Sequence, residues 1–220
     1  MYKKILFPAL ILAFALVGCK TTGIKKSEKA VQSMQAKYLL LKSTPEKITA
    51  VTDSLDQLIA EGGDIRTEFK AFEKNINSLM SNRDPLDKLN AKIESSKKAF
   101  TRAWQERQLT IKDDEMRNRS RKRYAEVIAQ FNEVDRLAAQ ANMEFNLWMQ
   151  RVLDIRTYLE SDLNPRGIAS IADIASEISA DAELVKRKIT PVITKLDAVI
   201  GTMAVPKQKA SKSKKNKKSK

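Results

Sequence analysis

Whatever chemistry this chain performs, it performs without histidine. Its 220 residues hold 41 Lys and Arg, 27 Asp and Glu, a single Cys and no His. That removes the commonest general base and the commonest transition-metal ligand together. Acidic pairs occur throughout, but none sits in an apolar stretch that would raise a carboxyl pKa for acid–base work. There is no glycine-rich phosphate loop, no nucleophile elbow and no spaced set of metal ligands. The expectation is a non-enzymatic protein with no cofactor. Definable chemistry remains in four places: the thiol of Cys19, the Asn164–Arg166 turn, the basic stretch Arg117–Arg123, and a lysine-rich C-terminus.

Cys19 closes a short N-terminal pattern. Lys3 and Lys4 precede an apolar run from Ile5 to Val17, and Leu16-Val17-Gly18-Cys19 ends it. A charged start, an apolar core and small residues before a cut form the layout of a secretion signal. The thirteen residues of that run fall short of the roughly 20 that span a bilayer. Leu16 to Cys19 resemble the lipobox of bacterial lipoproteins. The resemblance implies a diacylglyceryl group on the thiol, removal of residues 1–18, and N-acylation of the new terminus. It therefore implies a membrane partner, because three acyl chains exceed the two signals that stable anchoring takes. The location is the cell envelope. In a cell with two membranes it is the outer membrane facing the periplasm, since Lys20 and not an aspartate follows the lipidated residue. With its one thiol lipidated, the fold has no disulfide.

The formal charge of +14 is unevenly spread. Loss of Lys3 and Lys4 with the signal leaves +12, and the tail's eight lysines leave only +4 on residues 19–206. Those lysines are Lys207, Lys209, Lys212, Lys214, Lys215, Lys217, Lys218 and Lys220, with no acid among them. Such a segment has too little apolar surface to order itself. It reads as a contact for anionic lipid headgroups or an acidic cell-wall polymer. Nucleic acid, the usual partner of such a run, is disfavoured by the export signal. The terminal Lys220 resembles the last lysine through which the major outer-membrane lipoprotein joins peptidoglycan, and only that residue carries the likeness.

Asn164 and Arg166 are the best candidates for a specific polar contact with a partner. The competing reading is a turn, in which Asn tolerates the backbone conformation and Arg meets the last carbonyls of a helix. Arg117, Arg119, Arg121, Lys122 and Arg123 encircle a helix just after Asp113, Asp114 and Glu115, so local ion pairs on a solvated surface are expected. Trp104, Phe131, Phe145 and Trp148 fall at core spacing and read as packing.

Helices must position these groups. The spacing predicts helices over about 28–42 and from Pro45 to about Ile59, the second started by Ser43-Thr44-Pro45 and ended by Gly62-Gly63. The series Ile65, Phe72, Leu79, Leu86, Ile93, Phe100 keeps one phase across Asp84-Pro85. Tyr124, Val127, Phe131, Val134, Ala138, Ala141, Phe145, Trp148, Val152, Ile155 and Leu159 alternate threes and fours without a miss, a coiled-coil-like seam. Ala138 and Ala141 suggest close approach of a neighbouring helix. After Leu163-Asn164-Pro165-Arg166-Gly167, the seam resumes from Ile171 to Met203, with a kink or break expected at Thr190-Pro191.

Trp104 with Glu106, Ser120, Tyr124, Ala141 with Met143, and above all Leu163-Asn164-Pro165-Arg166-Gly167-Ile168-Ala169-Ser170 carry a family likeness. Over residues 104–200 the chain resembles an uncharacterised family of bacterial exported helical proteins, a domain of unknown function. The likeness implies a helical fold and an envelope location, and the family brings no established activity with it.

The fold expected is all-α: an elongated antiparallel three-helix bundle or coiled coil, with extra N-terminal helices that extend or flank it. Periodicity alone leaves open whether the seams pair within one chain or between chains. Residues 1–18 are read as signal, 19–27 as lipidated tether, 28–204 as the bundle and 205–220 as the lysine-rich tail. The function expected is a structural or scaffolding rod, with lipid at one end and the polycation at the other. The alternative is a helical adaptor or ligand-binding module that acts through the Asn164–Ser170 turn.

Overall fold

The computed structural model describes residues 22–60 and 62–204, and over them the chain is all-α. Seven helices follow one another: α1 (Thr22–Lys42), α2 (Thr44–Ile59), α3 (Ile65–Met80), α4 (Arg83–Gln108), α5 (Asp114–Ser161), α6 (Pro165–Ser170) and α7 (Ala172–Met203).

They join into four rods. Ser43 keeps right-handed helical angles between α1 and α2. The hydroxyls of Ser43 and Thr44 both donate to the Leu40 carbonyl, at 2.9 and 3.0 Å. That satisfies a group near the place where Pro45 interrupts the ladder. A tight turn follows, where Gly62 takes a φ of 96° that a side chain would resist. Asp64 then caps α3, accepting from the Arg66 amide at 3.2 Å and the Thr67 hydroxyl at 2.6 Å. The break between α3 and α4 falls at Ser81-Asn82, ahead of Pro85, which lies in the first turn of α4 where a missing N–H costs nothing. α5 is one helix of 48 residues, about 72 Å at 1.5 Å per residue. α6 and α7 complete the last rod.

Every contact between neighbouring rods is antiparallel. Ser179 bonds Asp56 at 3.0 Å and Lys186 bonds Thr49 at 3.0 Å, while Ser27 donates to the Met203 carbonyl at 3.2 Å. The Trp148 indole N–H donates to the Ile178 carbonyl at 3.0 Å, which ties α5 to α7. α1 packs on α4, α2 on α3, both on α7, and α7 on α5. The two N-terminal helices therefore flank the other three rods along their length and make a fourth, where the sequence reading counts three plus extras. The seams close on one another within a single chain, around a core that includes Met34, Leu55, Phe72, Trp148, Ile178 and Leu196.

Three further expectations change. α1 begins at Thr22, not near Glu28; residues 22–27 belong to the bundle, and the Ser27 hydroxyl is buried against α7. α7 runs through Pro191 without the short break, one of the two outcomes expected there. Pro191 is exposed and Val192 beside it is buried, so the carbonyl left without its donor faces the solvent side. Most consequentially, Ser27 and Met203 meet. The described chain therefore begins and ends at one end of the bundle, where a three-rod count would have put its ends apart.

Candidate functional site

One side of the bundle is open. α4 and α5 are zipped near the end where the termini lie. There the Trp104 N–H donates to the Ser120 hydroxyl at 3.0 Å, and the Trp104 ring stands edge-on to Phe100 and Tyr124 at 5.4 and 5.8 Å. Phe100 meets Phe131 at 6.4 Å, and Lys97 bridges to Asp135 at 2.5 Å. Beyond Asp135 the two helices part. The facing positions of α5 are Ala138, Ala139, Ala141, Asn142 and Asn146; opposite them stand Asn82, just before α4, and Leu86, Asn90 and Ile93 on α4. Small and polar side chains cannot fill the space between two helices. A groove of about 460 Å³ results, floored by Leu41 of α1 and by Ile189 and Val192 of α7. Ala141 is buried, on a helix that packs along α7, and Ala138, Ala139 and Ala141 together leave an opening on the α4 side.

The groove combines an apolar lining with a few polar groups, the composition of a small-molecule site. Leu41, Leu86, Ile93, Phe145 and Leu153 line it half-buried. Lys37 lies at its Asp135 end. Burial pushes the Lys37 ammonium down from the ordinary lysine range, and the nearby carboxylates of Asp135 and Glu94 oppose that shift. Both of those carboxylates are engaged by Lys97, at 2.5 and 3.7 Å. Among the described residues Lys37 itself makes no ion pair. Two more lining groups lack partners: the Asn90 Oδ1 acceptor and the Asn82 Nδ2 donor are enclosed without a hydrogen bond. Asn82 Oδ1 is used, accepting from Lys47 at 2.7 Å.

The residues singled out from the sequence lie elsewhere. Cys19 and all eight tail lysines fall outside the described residues. Asn164 caps α6: its Oδ1 accepts from the amides of Arg166 and Gly167, both at 3.0 Å, and its Nδ2 bonds Asp162. Gly167 is buried and would place a Cβ 2.0 Å from the Asp162 carbonyl oxygen, so only glycine fits. The turn is thus built by Asn164 and Gly167, at the end of the bundle away from the termini. Arg166 is exposed there, and its side chain pairs with none of the described residues. In the basic stretch, Arg117 pairs with Asp114 at 2.8 Å, Arg119 with Glu115 at 2.5 Å and Arg123 with Glu126 at 3.1 Å. These are local pairs on a solvated helix. Phe131 and Trp148 are core residues, and Trp104 and Phe145 pack against that core half-exposed.

Among the described residues there is no group of three or more acidic or thiol ligands that could hold a metal. None of the described helices is long and apolar enough to cross a membrane. A family model, Protein of unknown function (DUF2959), matches residues 17–203. The chain belongs to that family. The DUF2959 match takes in Cys19 and every helix and ends where α7 ends, which leaves the lysine tail outside it. It also covers the first half of the chain, well beyond the residues 104–200 on which a likeness was read. Within it, Trp104, Ser120 and Tyr124 form the zipped part of α4 and α5. No curated protein and no solved structure matches the chain.

Proposed function

We propose that this protein is a non-enzymatic envelope lipoprotein, a helical rod that stands on a membrane with both chain ends toward it. The observation that carries the reading is the hydrogen bond from Ser27 to Met203, 3.2 Å across the bundle's end. A lipid on Cys19 and the lysines beyond Lys207 would then act on one surface. Each basic residue near an anionic leaflet contributes about 1 kcal/mol, and a polybasic segment is the usual second signal beside an acyl anchor. The tail partner is accordingly the anionic headgroups of the membrane that holds the lipid, in preference to a distant wall polymer. In a cell with two membranes that is the outer membrane, with the rod in the periplasm.

At the tip of the α4–α5 hairpin two apolar side chains stand exposed, among Lys112, Asp113, Asp114 and Glu115. Leu109 and Met116 are 85% and 57% exposed. They project at the end where the chain leaves the bundle, beside Lys112 and Arg117. The opposite end, some 70 Å away by the rise of α5, carries the α2–α3 turn and the Asn164–Ser170 turn. Because Arg166 is exposed there without a partner, a second reading is kept: the far end presents this turn to another envelope protein.

The test separates the two attachments. The full chain, the Cys19→Ala variant and a chain lacking residues 207–220 are compared for binding to envelope membranes in rising salt. Loss of the salt-sensitive component on tail deletion is the expected result, with loss of the salt-resistant component in Cys19→Ala. Undiminished, salt-independent binding of the tail-deleted chain would sink the tail's role.

A further inference from the structure

We propose that the folded end of the bundle, where the described chain starts and stops, is itself a contact surface for anionic phospholipid headgroups, separate from the lysine tail. The choice of a membrane as occupant rests on the lipid anchor proposed above; the charge of the surface does not.

Stretches far apart in the chain meet at this end. Ser27 of α1 donates to the Met203 carbonyl at 3.2 Å, and Arg123 of α5 donates to the neighbouring Thr202 carbonyl at 3.3 Å. The bond from Trp104 to Ser120 holds the last turns of α4 beside the same part of α5. Residues 22–30, 100–130 and 199–203 thus make up the end, and they hold eleven Lys and Arg against six Asp and Glu. Four of those acids are taken in ion pairs, Arg102 with Glu106, Arg117 with Asp114, Arg119 with Glu115 and Arg123 with Glu126. The other two are Glu28 and Asp113, and Asp113 caps α5 by accepting from the Met116 amide at 2.7 Å. Seven cations remain. Lys25, Lys26 and Lys29 stand on α1 and Arg107 near the end of α4. Lys112 lies in the α4–α5 turn, and Arg121 and Lys122 lie on α5. All but Lys26 are exposed, and none forms an ion pair with a described residue.

The opposite end has the reverse charge. Residues 52–74 and 145–183, joined by the bond from Ser179 to Asp56, hold six Lys and Arg against thirteen Asp and Glu. The bundle is polarised along its length, which composition hides because residues 19–206 sum to only +4. Exposed charges feel a charged surface within about a Debye length, roughly 8 Å at physiological salt. α1 begins at Thr22, and the three residues that lead there from Cys19 reach at most about 10 Å. A lipid on Cys19 therefore brings the cationic end into range of the headgroups. It leaves the acidic end some 70 Å away by the rise of α5. The seven cations are spread over three helices and a turn, so a single free anion meets one or two of them. A leaflet with negative surface potential acts on them together.

The test uses the lipidated full chain in nanodiscs of phosphatidylcholine and phosphatidylglycerol. A trace of the phosphatidylglycerol carries a photoreactive diazirine on its headgroup, and adducts are mapped by peptide mass spectrometry. They should fall within residues 22–30 and 107–122 as well as on the tail, and be absent from residues 52–74. Two sets of substitutions on different helices guard against a folding defect in either, with helicity checked by circular dichroism. One is Lys25→Gln, Lys26→Gln and Lys29→Gln together; the other is Arg121→Gln with Lys122→Gln. Each should lower labelling of the bundle end about fivefold or more, the factor for a basic residue near an anionic leaflet, and leave tail labelling unchanged. A phosphatidylcholine probe with the same diazirine should label the end far less. Equal labelling by the two probes, or labelling indifferent to both sets, would overturn the charged contact. Labelling of the tail alone would overturn this surface and leave the anchoring standing, whereas labelling of neither would overturn both. Millimolar glycerol phosphate should not compete; full competition would mark a site for a free phosphate and overturn the membrane as occupant.

Discussion

A single atom decides the turn before α6. The Asp162 carbonyl oxygen lies where a Cβ on residue 167 would need to be, 2.0 Å from its ideal position. Because that oxygen belongs to backbone, relief requires the turn itself to move. Gly167→Ala should therefore lower unfolding free energy by about 1–3 kcal/mol, the range for forced overpacking, measured by urea titration. Arg166→Ala, one residue away and exposed, should stay within about 0.5 kcal/mol, as surface changes do. A Gly167→Ala chain as stable as the parent would show that the turn has slack. Lys37 makes a different residue-level prediction. Its pKa is lowered in the fold, chiefly by burial, against the opposing fields of Asp135 and Glu94. The unfolded chain therefore binds more protons between the folded and unfolded lysine values, and the lysine's cost to stability shrinks as pH rises through that window. Lys37→Met should stabilise the protein at neutral pH, and its advantage should fade toward the ordinary lysine range. A constant advantage from pH 7 into strongly alkaline solution would mean that the ammonium is not desolvated.

At the level of helices, Pro191 shows how position overrides propensity. It removes one amide from the ladder of α7 and crowds the carbonyl four residues back, yet the helix continues because this happens on the exposed side while Ile189 and Val192 stay buried. Pro191→Ala should restore a bond and raise stability by up to about 3 kcal/mol, read as an upward shift in Tm with unchanged helicity; a lower Tm would mean that the proline fits its site better than alanine. The same contrast explains what could be read from the amino acids beforehand. All ten seam positions from Ile171 to Met203 are buried, since that face of α7 touches both α5 and the first rod. On α5 the seam was equally regular, but Tyr124, Ala138 and Phe145 are only half-buried. A period reports which face is apolar and not how far neighbours cover it: Ala141 is buried in the core, while Ala138 packs against that core half-exposed at the groove. Ser43-Thr44-Pro45 read as a restart, and α2 does begin at Thr44 after α1 ends at Lys42; two hydroxyls take up the Leu40 carbonyl at 2.9 and 3.0 Å there. The pairing of Lys37 with a space between α4 and α5 was illegible for a further reason. It depends on Lys97 having engaged both Glu94 and Asp135, a long-range outcome that no local spacing encodes.

For the whole molecule, the decisive property is that a bundle of four antiparallel rods returns its C-terminus to its N-terminus. Odd numbers of rods separate the ends; even numbers join them. Three rods would set the two ends of the described chain some 70 Å apart by the rise of α5; four bring them to one end, and under the anchoring proposed above lipid and tail would then act on one surface. The consequence for orientation is open to measurement. The α4–α5 tip at Leu109 lies at the end where the chain departs, and Asp64 in the α2–α3 turn lies at the other. A single fluorophore is introduced at residue 109 in one variant and at residue 64 in another. Cys19 is retained for lipidation, so the label is attached through an unnatural amino acid and not a thiol. In vesicles containing anionic lipid and a headgroup-level quencher, the label at 109 should be strongly quenched and the label at 64 unaffected. Such quenchers act over distances far shorter than the rod, so an upright molecule separates the two signals cleanly. Deleting residues 207–220 removes the polybasic contact while leaving the lipid. It should reduce quenching at 109 by freeing the rod to tilt, and high salt should do the same to the full chain, since the attraction decays over a Debye length of about 8–10 Å. Equal quenching at 64 and 109 would describe a rod lying flat on the bilayer, and that geometry would remove the reason for a spacer.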